Sequence, residues 1–164
     1  MAVPASTRRG EDGERNVVVR PAAKSDTAAW LHLRQALWPE GEGREHAGEV
    51  ERFFAGTIAE PLAVLLAEDP SGRVVGFAEL SIRSFAEGCH SDRVAYLEGW
   101  FVEPDARGHG VGRALVAAVE EWARGQGCTE LASDTEATND ASAAAHRALG
   151  FTDAGLLRCF RKDL

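Results

Sequence analysis

The residues between 100 and 113 combine glycine and arginine in a way that suits the binding of a phosphate anion. Gly108, Gly110 and Gly112 recur at every second position after an apolar run, and Arg107 and Arg113 flank them. Glycines let backbone N–H groups turn toward an anion. The N-terminus of a following helix adds a partial positive charge at the same point. The segment therefore predicts a pyrophosphate-binding loop, with a plain glycine-rich turn as the alternative.

Two common nucleotide-binding loops are excluded by the spacing. No Gly-Lys-Ser/Thr follows the glycines, so the segment is not the phosphate loop of an ATPase. The glycine spacing also differs from the G-x-G-x-x-G pattern of a dinucleotide-binding fold.

Two carboxylates are placed where they could hold a cation. Glu98 lies inside the apolar run 96–102, and Asp134 ends a short apolar run at 131–133. Carboxylates form charge-assisted hydrogen bonds with ammonium groups, and a carboxylate can also remove a proton from an amine before attack. The alternative for both is a solvated surface carboxylate. This alternative fits Glu98 less well, because its neighbours form an apolar strand.

The elements that must position these residues follow from the apolar periodicity. Apolar or alternating runs predict strands, and apolar residues at spacings of three and four predict helices. The order is β-α-α-β-β-β-α-β-α-β-β, which predicts an α/β fold with a mixed sheet of about seven strands and about four helices. The strands are predicted at 17–20, 63–67, 74–82, 95–102, 131–134 and 156–161, and the helices from 25, over 45–58, from 111 and over 139–149.

Two motifs resemble those of the GNAT acetyltransferase family. Arg107-x-x-Gly110-x-Gly112 is similar to the coenzyme A signature of that family. The later segment from Asn139 through His146 to Gly150-Phe151 is similar to its N-x-x-A-x-x-x-Y-x-x-x-G-F helix. The resemblance implies a GNAT fold, in which two splayed central parallel strands hold acetyl-CoA. The implied cofactor-binding residues are Trp100, Phe101, Val102, Arg107, Gly108, His109, Gly110, Val111, Gly112, Arg113, Asn139 and His146.

Position 146 departs from the family pattern, because a histidine stands where a tyrosine near the thiol is common. A histidine can donate a proton, but its geometry differs from that of tyrosine. His146 could therefore protonate the leaving thiolate, contact the cofactor or only pack.

Further segments are similar to the aminoglycoside 6'-N-acetyltransferases within that family. They include Leu37-Trp38-Pro39, residues 77–83, residues 97–102, residues 132–135 and Phe160-Arg161-Lys162. The resemblance implies transfer of an acetyl group to the 6'-amine of an aminoglycoside in a ternary complex, and so antibiotic resistance. The implied acceptor-binding residues are Trp38, Phe85, Glu98 and Asp134, with Glu98 as first and Asp134 as second candidate base. Phe85 replaces a common tyrosine, and Asp153 is a candidate for an acidic residue that relatives carry after Gly150-Phe151.

Composition agrees with this interpretation and leaves alternatives open. The net charge is −8, which favours a cationic ligand and opposes nucleic acid. No apolar run is long enough for a membrane span, and three scattered cysteines predict free thiols in the cytoplasm and no metal site. We expect a tail at 1–16, one domain at 17–164, and a homodimer paired through the apolar segment 156–160. A GNAT enzyme for another amine (a polyamine, an amino acid or a protein N-terminus) and a coenzyme A sensor with little turnover are the competing hypotheses.

Overall fold

The structure, a computed structural model, describes residues 17–40 and 43–164; the predicted tail at 1–16 lies outside them. The described residues form five strands, four α-helices and two 3-10 turns in the predicted order up to residue 148. The strands are β1 (Val18–Pro21), β2 (Ala63–Glu68), β3 (Val74–Arg83), β4 (Val94–Val102) and β5 (Leu131–Ser133). The helices are α1 (Thr27–Leu37), α2 (Gly43–Ala55), α3 (Val111–Gly125) and α4 (Asp140–Ala148), with 3-10 turns at Lys24–Asp26 and Pro104–Ala106.

The sheet is mixed, as predicted. Its strand order is β1-β2-β3-β4-β5. The first four strands pair antiparallel, whereas β5 runs parallel to β4. The β4–β5 ladder ends at the pair Leu97 and Ser133, yet β4 continues to Val102. The two strands therefore separate after residue 97, which leaves an opening beside the second half of β4.

A bulge in β4 lies at the start of this opening. Glu79 of β3 is opposite Gly99, but its neighbour Leu80 is opposite Leu97. Glu98 is thus the extra residue on β4. A bulge re-aims the side chain of the strand that carries it, so the local backbone sets the direction of the Glu98 carboxylate.

Helices cover both faces of the sheet. Successive strand side chains point to opposite faces, so Leu65 and Val64 belong to different cores. One core joins the sheet to α3 through Leu115, Val119 and Trp122. The other joins it to α1 and α2, and its fully buried members include Trp30, Leu33, Val50, Leu66 and Phe77.

The prediction of about seven strands is too high for the residues that the structure describes, and the predicted strand at 156–161 is wrong for the single chain. Residues 151–164 have no regular secondary structure. Leu156 and Phe160 are 88% and 89% exposed. Apolar residues form a strand when a neighbouring strand binds their backbone and a core covers their side chains. In the single chain this segment has neither.

Candidate functional site

The glycine loop leads directly into α3, as the sequence predicts. Gly108 and Gly110 have φ angles of 76° and 82°, in the left-handed region that favours glycine. Gly110 is the residue before the first turn of α3, and its carbonyl oxygen accepts from the N–H of Ala114. Val111 is buried and anchors this turn in the core. The free N–H groups at the start of this 15-residue helix therefore lie at the end of the glycine loop.

Trp100 forms the floor under this loop. A Cβ placed on Gly112 would lie 3.0 Å from Cζ2 of the Trp100 indole, so a glycine lets helix and strand approach. The indole Nε1 of Trp100 is buried without a hydrogen-bond partner among the described residues. An unpaired buried N–H is unfavourable by about 1–3 kcal/mol unless a ligand or water accepts from it. The glycine cradle and this donor fit a coenzyme A group, which offers phosphate and amide oxygens.

The basic residues of the loop differ in their contacts. The Nε of Arg107 donates to the carbonyl oxygen of Val102 at 2.9 Å, and its guanidinium lies 5.5 Å from the centre of the Phe101 ring. His109 Nδ1 donates to the carbonyl oxygen of Arg107 at 2.8 Å. Arg113 is exposed on the first turn of α3. Arg107 thus holds the loop against the end of β4, and Arg113 offers its charge to solvent.

The second motif positions His146 beside the opening. Asn139 caps α4, because its side-chain oxygen accepts from the N–H of Ser142 at 3.0 Å. The His146 ring lies between Trp100 and Phe151, with ring centres 5.3 and 5.2 Å away. The motif therefore brings its histidine against the floor of the cofactor loop.

His146 also contacts β5 through Ser133. Its Nδ1 lies 2.8 Å from the carbonyl oxygen of Ser142, so Nδ1 is a donor. Its Nε2 lies 3.0 Å from Oγ of Ser133, and that hydroxyl lies 3.1 Å from the carbonyl oxygen of Leu97. The Ser133 hydroxyl has one proton to donate. It either donates to the carbonyl oxygen of Leu97 and accepts from Nε2 of a doubly protonated His146, or it donates to Nε2 of a neutral His146. A hydroxyl and an imidazole in contact can exchange a proton at the point where β4 and β5 separate.

Glu98 is held by β3. Ser81 donates its hydroxyl to Oε1 of Glu98, and Arg83 donates through Nε at 2.9 Å and through Nη2 at 2.5 Å. The Glu98 side chain is 23% exposed and that of Arg83 is 41% exposed. The carboxylate is therefore half-buried and ion-paired at the edge of the opening.

Asp134 lies on the other side of the same opening. Its Oδ1 accepts from the Tyr96 hydroxyl at 2.8 Å. Burial and this hydrogen bond raise the pKa of Tyr96 above its ordinary value, so the phenol stays protonated and remains a donor. The Arg83 guanidinium stacks on the Tyr96 ring, with its Cζ atom 3.4 Å from the ring centre. Tyr96 and Arg83 therefore connect the two predicted carboxylates.

Trp38 forms a wall next to Glu98. Its ring packs against Gly99. The centre of the ring lies 6.2 Å from that of Phe77, in an edge-on contact, and 6.2 Å from that of His46, on which it stacks. His46 is buried, with 7% of its surface exposed. Its Nε2 donates to the carbonyl oxygen of Trp38 at 3.2 Å, which ties α2 to the end of α1.

A buried charge network lies behind this wall. Glu79 accepts from Trp30 Nε1 at 2.9 Å and pairs with Arg34 Nε at 2.9 Å. Arg34 Nη1 lies 2.7 Å from Glu49, and the guanidinium is 5.3 Å from the centre of the Trp38 ring. Both Arg34 contacts are charge contacts without the alignment of a hydrogen bond. Burial raises the pKa of Glu79 from 4.5 to about 7, and Arg34 and Trp30 oppose that shift.

The remaining two candidates are not brought into this cluster. Phe85 follows β3 and is 66% exposed. Asp153 pairs with Arg147, whose Nε and Nη2 donate to it at 3.0 and 2.9 Å. Arg83, Tyr96 and Ser133 are not among the residues that the sequence predicts for the site. Arg83 lies on β3 and Tyr96 lies on β4, the strand that also carries Glu98, but only the strand register indicates which side chains meet.

The described residues hold no helix long and apolar enough to cross a membrane. Within the same ranges there is no group of three or more His, Cys, Asp or Glu side chains placed to bind a metal ion.

Comparison with known proteins assigns the family. Residues 28–151 match the acetyltransferase (GNAT) family. The chain is 56% identical over 147 residues to aminoglycoside N(6')-acetyltransferase type 1 of Klebsiella aerogenes, which covers 90% of this chain and 97% of that protein. It is 42% identical to the protein of that name from Stenotrophomonas maltophilia, over 89% of this chain and 93% of the relative.

Solved structures agree with this assignment. AAC(6')-Iy in complex with the bisubstrate analog CoA-S-monomethyl-acetylneamine superposes with a TM-score of 0.82 at 36% identity, covering 90% of this chain and 99% of that one. AAC(6')-Iy in complex with CoA gives a TM-score of 0.83 at 35% identity, covering 93% and 99%. The GNAT fold and the use of acetyl-CoA, both expected from the motifs, are confirmed. The chain belongs to the GNAT family and is an acetyl-CoA-dependent N-acetyltransferase.

Proposed function

We propose that this chain transfers the acetyl group of acetyl-CoA to the 6'-amine of an aminoglycoside and thereby gives resistance to the antibiotic. The observation that carries the proposal is the position of Glu98, which the β4 bulge places where β4 and β5 separate. A carboxylate, an aromatic wall and the cofactor loop meet at this point. The relatives that match about nine-tenths of this chain are named aminoglycoside N(6')-acetyltransferases.

The cofactor side uses backbone groups and several side chains. The loop N–H groups from Gly108 to Arg113 bind the pyrophosphate, and the open edge of β4 at Trp100, Phe101 and Val102 receives the pantetheine arm. Support comes from the left-handed glycines, the helix N-terminus and the unpaired Trp100 Nε1. When bound, acetyl-CoA supplies the activated acetyl thioester. Further contacts are assigned to Arg107, His109, Val111, Gly112, Asn139 and His146, with Asn139 acting mainly as the cap that fixes α4.

The acceptor side uses charge and a flat ring. Glu98 and Asp134 bind ammonium groups of the aminoglycoside, and Trp38 supports a sugar ring. Phe85, which lies outside the cluster around Glu98, supplies a second aromatic surface, because its exposed ring is accessible to a ligand. Aminoglycosides are polycations of linked sugars, so paired carboxylates and aromatic faces suit them.

The reaction needs three proton movements: the acceptor nitrogen loses one proton as the ammonium before attack and a second to solvent water as the amide forms, and the departing sulfur gains one. Glu98 accepts a proton from the acceptor ammonium, and Asp134 is the second candidate for this role. The free amine then forms a C–N bond with the thioester carbon as the C–S bond breaks, and a backbone N–H of β4, with Val102 as first candidate, stabilises the carbonyl oxygen. The departing sulfur takes a proton from the Ser133–His146 pair, whose hydroxyl and imidazole are in contact. Cys89, Cys128 and Cys159 are free but outside this cluster, so direct transfer is favoured over an acyl-enzyme.

We also propose a homodimer. The free edge of β5 borders a groove of about 310 Å³ lined by Leu131, Ala132, Ser133 and Phe151. Segment 156–160 exposes Leu156, Leu157 and Phe160 in the same protein. An open strand edge and an unpaired apolar segment favour pairing between two copies. The free thiols, including the exposed Cys159, favour a cytoplasmic location.

The test is acetyl-CoA turnover, followed by thiol release, with kanamycin, with spermidine and with a peptide. We expect release with kanamycin and a product acetylated at the 6'-amine. Thiol release with spermidine or the peptide but not with kanamycin would show that the acceptor is another amine. Coenzyme A binding without thiol release from any amine would indicate a sensor. Glu98→Gln should lower kcat by about 100-fold and raise the kanamycin KM. Glu51→Gln, an exposed change on α2 with the same loss of charge, should leave both near wild type.

A further inference from the structure

Arg83 pairs with the carboxylate to which the proposed function assigns an acceptor ammonium. Its guanidinium pairs with both oxygens of Glu98, at 2.9 Å from Nε and 2.5 Å from Nη2. It also stacks on Tyr96 at 3.4 Å from the ring centre. The Tyr96 hydroxyl in turn donates to Asp134. One cation of the protein thus lies among the groups that the proposed function assigns to the cation of the substrate.

The charges around Arg83 favour this arrangement. Burial acts to lower the pKa of Arg83, but hydrogen bonds and charge from Glu98, with smaller contributions from Tyr96 and Asp134, outweigh it and the pKa is raised. The guanidinium is therefore always charged and always attracted to this site. The Arg83 side chain is 41% exposed, so it can swing into solvent when another cation pairs with Glu98.

We propose that Arg83 is a specificity-determining residue, an internal competitor for Glu98 that an incoming acceptor must displace. The inference rests on the proposed function for the role of Glu98. An acceptor with one ammonium exchanges one ion pair for another and gains little. A polycation gains further pairs, with Asp134 among its partners, after the exchange. Arg83 therefore selects polycationic acceptors over simple amines.

The alternative is that Arg83 only holds Glu98 in place. Both roles use the same ion pair, but they differ in the sign of the effect. If Arg83 competes, removing its charge strengthens acceptor binding. If Arg83 positions Glu98, removing it weakens binding or lowers kcat, and lysine restores part of the loss.

The experiment compares Arg83→Gln and Arg83→Lys with Arg73→Gln in the full chain with coenzyme A bound. Arg73 is a matched control, because it is 52% exposed and is ion-paired with Asp69 and Asp105 rather than with Glu98 or Asp134. Equilibrium binding of kanamycin is measured by calorimetry. The kcat/KM for acetylation is measured with kanamycin and with 6-amino-6-deoxyglucose, a single sugar with one ammonium.

We expect Arg83→Gln to lower the kanamycin Kd by about three- to fivefold relative to Arg73→Gln, the range of a part-exposed ion pair. The preference for kanamycin over the amino sugar should shrink, and Arg83→Lys should lie between wild type and Arg83→Gln. A higher Kd in Arg83→Gln, or a Kd equal to that of Arg73→Gln, overturns the proposal. Wild-type protein that binds kanamycin without acetylating it refutes the proposed function instead, and the Kd comparison still decides the role of Arg83.

Discussion

Gly99 and Trp38 are in such close contact that no side chain fits between them. A Cβ at position 99 would lie 2.5 Å from Cη2 of Trp38 and 3.0 Å from its Cζ2. Gly99 follows the bulged Glu98 on β4, and Trp38 ends α1. The contact therefore joins the aromatic wall to the backbone that orients the candidate base.

Gly99→Ala should disturb both stability and acceptor binding. The methyl group forces the Trp38 ring or the bulge to move, which is unfavourable by about 1–3 kcal/mol. We expect a lower free energy of unfolding in urea and a higher KM for kanamycin, with acetyl-CoA KM little changed. Gly48→Ala on α2 is the matched control, because a Cβ there meets nothing within 4 Å. Equal stability and KM in Gly99→Ala and wild type would contradict the contact.

Glu79 should give the protein a stability that falls as the pH rises. Its pKa is raised from 4.5 to about 7 by burial, so the folded chain holds this proton where the unfolded chain has lost it. The contribution is fully present below pH 4.5 and is lost between pH 4.5 and 7. Over that interval the wild type should lose roughly 3 kcal/mol relative to Glu79→Gln. Urea unfolding of both proteins across this range checks the slope, and parallel curves would refute the raised pKa.

Gly110→Ala should weaken the cofactor loop. Gly110 has a φ of 82°, a conformation that is unfavourable for alanine by about 1–2 kcal/mol. Relaxing this strain re-orients the first N–H groups of α3, so we expect a higher acetyl-CoA KM in steady-state assays. Gly125→Ala at the other end of α3 is the control, because it has open space and an ordinary φ. An unchanged acetyl-CoA KM in Gly110→Ala would argue against phosphate binding by this loop.

His146→Phe separates packing from proton transfer. Phenylalanine keeps a ring between Trp100 and Phe151 but loses the contact of Nε2 with Ser133. We expect acetyl-CoA KM near wild type and kcat lower by about 100-fold, because the departing sulfur loses its proton donor. Ser133→Ala should give the same pattern in thiol-release assays. If kcat is unaffected in both variants, the pair only packs against the cofactor.

Leu157→Glu combined with Phe160→Glu should dissociate the proposed dimer. Both side chains are exposed in the single chain, at 71% and 89%, and charges there cannot be buried against a second copy. Light scattering should report a dimer for the wild type and a monomer for the double variant. Lys162→Glu changes the net charge by the same amount and should remain dimeric. A monomeric wild type would refute the homodimer.

The sequence by itself determined the family, the cofactor and the order of the elements through residue 148. Local rules carry this information: Gly108 and Gly110 need left-handed backbone, α3 needs its apolar stripe, and Asn139 caps the helix that carries His146. Such features depend on neighbours within a few residues, so spacing alone reveals them.

Only the tertiary structure decided which side chains meet. Arg83 and Glu98 are 15 residues apart and pair because of one strand register and one bulge. Ser133 meets His146, and Tyr96 meets Asp134, because β5 runs beside β4 for three residues and then ends. The segment 156–161 has the composition of a strand, yet in the single chain it stays exposed. Strand formation depends on a partner strand that can be distant in the sequence, so residue spacing does not predict it. Loops and helices depend on residues a few positions away, so spacing does predict them.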